Sequence, residues 1–151
     1  MKKLGSLVVA VSAAALVVAA LAPAAARDTY TVSATLTGGK EVPKPKAVPA
    51  GATGSFSGKY VENKTGGTLT WKLTYSHLSG KAIAAHIHSG KPGVAGAVIV
   101  PLCGPCKSGQ TGKTHITKSV IDALEGGRAY VNVHTPKNQA GEIRGQVAAK
   151  G

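Results

Sequence analysis

An all-β fold, built as a two-sheet sandwich or closed barrel of about seven or eight strands with at most one short helix, is what this sequence predicts. Three observations carry that expectation. Short segments alternate apolar and polar residues at a period of two, as in Leu69, Trp71, Leu73 and Tyr75 against Thr68, Thr70, Lys72 and Thr74. Glycine and proline punctuate these segments throughout, with 20 and 8 copies in 151 residues. Long stretches with helical periodicity are missing from the part of the chain that carries this pattern.

Strands are expected at Tyr30–Thr37, Gly54–Val61, Thr68–Ser76, Ile83–His88, Ala97–Leu102, Ala129–His134 and Glu142–Ala148. The proline-rich run from Val42 to Pro49 cannot be a central strand, because each proline removes a ladder donor, and is expected to cross as an extended loop. Lys64-Thr65-Gly66-Gly67 reads as a hairpin turn, and Ser89–Gly96 as a loop leaving a histidine pair. A turn or two of helix fits Ser119–Leu124, with Ser119 as N-cap and Gly126-Gly127 as the stop. No tandem repeat is evident.

Met1-Lys2-Lys3, an apolar run from Leu7 to Leu21 and the small residues Ala24-Ala25-Ala26 have the order of a secretory signal peptide. Residues 1–26 are therefore expected to be removed near Ala26, with residues 27–151 as one domain, secreted or periplasmic. A retained N-terminal anchor is the alternative. No later apolar run could cross a membrane, so the mature chain is expected not to span one. The formal charge of +12 falls only by Lys2 and Lys3 on cleavage. Such a charge suits anionic cell-envelope polymers. The lysines are scattered, and few aromatics lie between them for base stacking, which argues against nucleic acid as a partner.

The chemistry concentrates in His86-Ile87-His88 and Val131-Asn132-Val133-His134. In a strand His86 and His88 share a face, as do Tyr130, Asn132 and His134, while Ile87, Val131 and Val133 point to the core. Adjacent strands would then bring three imidazoles to one ion, and nitrogen ligands favour copper in the divalent series. The competing reading is structural: the histidines, Asn132 and Arg144 brace loops by hydrogen bonding. Glu142 and Arg144 alternate onto one face of the last strand, where they could pair with each other or with the histidines, and Glu142 could orient a metal-bound ring. His77 and His115 lie outside these motifs and are expected at the surface. Cys103-Gly104-Pro105-Cys106 lacks a redox-motif setting and is expected to form a short-range disulfide. The six acidic residues form no evident catalytic pair, and no nucleophile elbow or phosphate loop appears.

Gly39-Lys40-Glu41-Val42-Pro43, Leu78-Ser79-Gly80, Ala85-His86-Ile87-His88-Ser89-Gly90, Pro101-Leu102, Gly126-Gly127, Tyr130 to Thr135 and Gly141-Glu142-Ile143-Arg144-Gly145-Gln146-Val147 resemble, in order, the CHRD domain family. A more distant resemblance is to copper/zinc superoxide dismutase, through Leu78-Ser79-Gly80, the His-x-His pair, the strand ending at His134, and Arg144. It implies a Greek-key, dismutase-like fold, with His86, His88 and His134 as ligands of one copper ion and Arg144 as an anion-attracting neighbour. The bridging histidine and the zinc cluster of that family have no counterpart after His88, so no zinc site is evident. The combined reading is an exported CHRD-domain binding protein holding mononuclear copper. A structural or adhesive cell-envelope module contacting anionic polymers and a copper-dependent, superoxide dismutase-like redox enzyme are the alternatives, with enzymatic activity the less favoured.

Overall fold

The computed structural model describes residues 28–151. The predicted signal segment lies outside them. Nine antiparallel strands follow one another as β1 (Thr29–Thr37), β2 (Thr53–Asn63), β3 (Gly66–Ser76), β4 (Ala84–Ser89), β5 (Val98–Cys103), β6 (Gln110–Thr117), β7 (Ala129–His134), β8 (Ile143–Gln146) and β9 (Ala148–Lys150). One α-helix, α1 (Lys118–Glu125), lies between β6 and β7, and a single 3-10 turn at Gly38–Lys40 follows β1.

The strand order is β5-β4-β7-β8-β1-β2-β3-β6, with β9 alongside β1. This is an all-β sandwich that comes close to closing as a barrel. The hairpins β1–β2 and β2–β3 are in continuous register from Thr29↔Val61 to Asn63↔Gly66. The pairs β3–β6 and β4–β7 join strands distant in sequence and fold the chain back on itself. β8 meets β1 only at Thr37↔Arg144, and there the two halves of the sandwich turn toward each other. One core fills the space between them, with Leu36, Phe56, Leu69 and Leu73 from one half and Ile87, Val131, Val133 and Ile143 from the other. Burying each such side chain contributes about 1.5–3 kcal/mol.

The expected alternation in β3 holds: Leu69, Trp71 and Leu73 are buried while Thr70 and Lys72 are exposed. The β2–β3 hairpin turns more tightly than expected, at Lys64-Thr65, because Asn63 Oδ1 accepts hydrogen bonds from the Thr65 N–H and hydroxyl. Gly66 and Gly67 already belong to β3. The helix is longer than expected, and its N-cap is Thr117 rather than Ser119, with the Thr117 hydroxyl accepting from Val120 N. Val120, Ile121, Ala123 and Leu124 seal one end of the core, and Gly126 caps the helix.

Two differences concern strands. β6 is absent from the expected set because only Ile116 of its eight residues is buried. It pairs with β3 where Gly112 lies under the Trp71 ring; a Cβ there would sit 2.3 Å from the indole, so glycine admits the aromatic. The last expected strand is divided into β8 and β9 at Val147, whose N–H bonds the Ala129 carbonyl. Cys103 and Cys106 form a disulfide with Cα atoms 5.2 Å apart, as expected. No helix among the described residues is long and apolar enough to cross a membrane.

Candidate metal centre

β4 and β7 pair without irregularity, with Ile87 opposite Val131 and Ala85 opposite Val133. Those four side chains enter the core. The alternation sends His86, His88, Tyr130, Asn132 and His134 to the other face, where Arg144 and Gln146 of β8 lie opposite Asn132 and Tyr130. This face is not open. His88 is 8% exposed, His134 7%, and Asn132 and Arg144 1% each, because the segments after β1, β4 and β7 fold over it. His86 alone of the three histidines is partly exposed. His77 and His115 are exposed and take no part in the cluster.

One nitrogen from each of His86, His88 and His134 lies within 4.8 Å of the others. Nitrogens bound to one ion at about 2.0–2.1 Å are at most about 4.2 Å apart, so the cluster stands near coordination spacing. His88 Nδ1 is 2.9 Å from the Gly96 carbonyl, and His134 Nδ1 is 2.9 Å from the Gln139 carbonyl. A carbonyl can only accept, so each Nδ1 carries the proton and each Nε2 is left with a lone pair. His88 Nε2 is buried and has no hydrogen-bonding partner. His134 Nε2 lies 3.1 Å from His86 Nδ1, which must donate to it. An incoming ion would displace that proton, His86 carrying it on Nε2 instead.

His86 and His134 resist protonation. Burial, reinforced by His134 and His88, lowers the His86 pKa to about 4. Burial also lowers that of His134, partly offset by its bond to Gln139 O. Both rings are therefore neutral at physiological pH and available as ligands.

The expected supporting residues divide. Asn132 lies directly opposite His86 and donates to the Ala140 carbonyl at 3.4 Å. Glu142 bonds no histidine: its carboxylate accepts from Ser79 N at 2.6 Å, the Ser79 hydroxyl, the Thr135 hydroxyl at 2.6 Å and Asn138 Nδ2 at 3.0 Å. Burial pushes this carboxyl up, but the four donors together hold it below the usual carboxylate range. It ties the β7–β8 connection to the segment before β4, so its part in the site is to fix the loop that carries Gln139. Nor do Glu142 and Arg144 form a salt bridge; among the described residues the one such pair is Lys118 with Glu62, at the surface.

Arg144 acts on the opposite loop. Its Nη2 donates to the Lys91 and Val94 carbonyls at 3.1 and 2.9 Å, and its guanidinium lies 3.4 Å from the Tyr130 ring centroid. Tyr130 in turn stacks on His88 with centroids 4.9 Å apart, and its hydroxyl accepts from Gly96 N at 3.1 Å. Arg144 and Tyr130 thus hold the loop whose Gly96 carbonyl orients His88. Sequence reasoning missed both carbonyl partners, since a backbone oxygen leaves no residue-type signal. It also missed Tyr130 as a support, although its place on the histidine face was legible.

Fold and face together define the class: an antiparallel sandwich with a loop-covered cluster of three neutral imidazoles on its outer side. The chain belongs to the CHRD domain family, whose model matches residues 32–147 and so includes every residue of the cluster. No curated protein and no solved structure matches the chain.

Proposed function

We propose that this CHRD domain is an exported binding protein that holds one copper ion through His86, His88 and His134. The observation that carries the reading is the buried, partnerless Nε2 of His88 in a cluster with His86 and His134, one nitrogen of each ring lying within 4.8 Å of the others. An unpaired buried polar atom costs about 1–3 kcal/mol, which an ion in this place would offset. Three nitrogen ligands suit Cu(II) ahead of the other divalent first-row metals. The distant resemblance to copper/zinc superoxide dismutase supports the same ion. Export is supported by the charged-apolar-small order of residues 1–26, by membership of the CHRD family and by the Cys103–Cys106 disulfide. Binding rather than turnover is the favoured activity, because Arg144 is committed to loop carbonyls and Tyr130 and is itself buried.

Copper titration of tag-free, metal-stripped protein, followed by electron paramagnetic resonance, tests this. One equivalent with nitrogen hyperfine structure is expected. Absence of stoichiometric binding, or binding unchanged in His88→Ala, would return the histidines to a purely structural role.

A further inference from the structure

Four further buried polar side-chain atoms lack partners among the described residues, and all lie on the same side of the sandwich as His88: Glu41 Oε2, Asn132 Oδ1, Arg144 Nη1 and Gln146 Oε1. Three of those side chains, Glu41, Arg144 and Gln146, line a cleft of about 520 Å³ between the segment after β1 and the loop after β4. Lys40, Lys44 and Val42 complete its first wall, and Pro92 and Gly93 its second. The histidines do not line it.

The chemistry each group seeks is fixed by the bonds it already makes. Gln146 Nε2 donates to the Gly90 and Gly127 carbonyls at 2.8 and 2.9 Å, which sets the amide orientation and leaves Oε1 as an acceptor without a donor. Arg144 spends Nη2 on two loop carbonyls and leaves Nη1 as a charged donor without an acceptor. Glu41 accepts from Val42 N through Oε1 at 3.0 Å and leaves Oε2 without a well-formed bond, beside the Asn132 amide and Gly141, where a Cβ would sit 2.3 Å from that oxygen. Burial raises the Glu41 pKa, opposed by the Val42 N–H, the Arg144 guanidinium and the Asn132 amide. Arg144, Lys40 and Lys44 outnumber this one carboxylate at the cleft.

We infer that the cleft binds a small hydroxylated carboxylate, with the carboxylate on Arg144 and the lysine rim and hydroxyls donating to Gln146 Oε1 and Glu41 Oε2. A neutral polyol would leave Arg144 Nη1 without an anion. A plain fatty carboxylate would leave the two acceptors without donors. The volume accommodates a sugar acid whose less polar face rests on Val42 and Pro92. Because the orphaned atoms are buried, binding parts the Lys91–Val94 segment from the segment after β1. None of the three histidines lines this site.

The test is a titration of metal-free protein with glucuronate, followed by amide NMR, with glucose and butyrate as controls. Glucuronate is expected to shift Gly39, Gly93 and the Gln146 side-chain amide, and to bind at least about tenfold more tightly than either control, the worth of one well-made hydrogen bond to a charged group. Gln146→Leu should weaken it about tenfold. The surface variant Lys40→Glu/Lys44→Glu, which touches no core residue, should do so by at least as much. Absence of glucuronate binding, equal binding of glucose or butyrate, or affinity unchanged in the lysine variant would overturn the inference and leave ordered water as the partner of these atoms.

Discussion

Along β3 burial alternates, with Leu69, Trp71 and Leu73 inside and Thr70 and Lys72 in water, whereas along β7 all six residues from Ala129 to His134 are buried. Both strands send an apolar face to the same core. They differ in what covers the other face: solvent for β1, β2, β3 and β6, and three loops for β4, β7 and β8. An antiparallel sheet needs only one buried face to be stable. Covering a second, polar face requires partners for every group on it, and the partnerless atoms of the described residues are found there and not on the solvated half. The covered half is where the molecule accepts cost for a site.

The largest effect is expected at the ligands. His134→Ala should lower copper affinity by more than the 10–100-fold typical of groups that merely support a ligand, with the far-UV spectrum retained; calorimetric titration checks this. Next comes the covered face as a structural element. Glu142→Ala removes a carboxylate that four donors address, and equilibrium denaturation should show a loss of about 2–4 kcal/mol.

Acid should then undo the covered half by two routes. The His86 pKa is lowered in the folded state to about 4 from 6.5, so unfolded chains bind protons first, and stability held above about pH 6.5 is lost as pH falls toward 4. Glu142, also depressed, is lost lower still, through and below its unfolded value of 4.5. Denaturation at a series of pH values should therefore show a first decline between pH 6.5 and 4, reduced in a His86→Phe variant, in which only the buried His134 still contributes to it. A flat profile through that window would mean that the imidazoles take up protons as readily folded as unfolded.

Smaller changes sharpen the contrast. Tyr130→Phe removes only the acceptor of the Gly96 N–H, and copper affinity should fall by about tenfold or less. Thr70→Ala, on the solvated face, should change stability by no more than about 0.5 kcal/mol.

The solvated half was the more legible in the sequence. Its alternation is written in residue types, so β1, β2 and β3 appear within a few residues of their ends. Its exception, β6, hides because glycine stands where the Trp71 ring supplies the apolar cover. On the covered half, period-two spacing placed His86, His88 and His134 on one face, and their convergence follows from the β4–β7 pairing. The cover was not legible. Loop paths are set by contacts such as Arg144 to Lys91 and Val94, and Glu142 to Ser79, between residues some 50 to 63 positions apart. Glu142 and Arg144 look in the sequence like a pair on one strand, yet each serves a different loop.

Because Gly96 and Gln139 hold the imidazoles through their carbonyl oxygens, the electronic character of two prospective ligands is written into the main chain. A side-chain partner could be exchanged in one mutation, and the basicity of its histidine retuned with it. Here no substitution at position 96 or 139 replaces the acceptor; it can only bend the path of the loop that presents it. Variation among copies of this domain therefore has geometry, and not proton affinity, as its ready means of adjusting the centre.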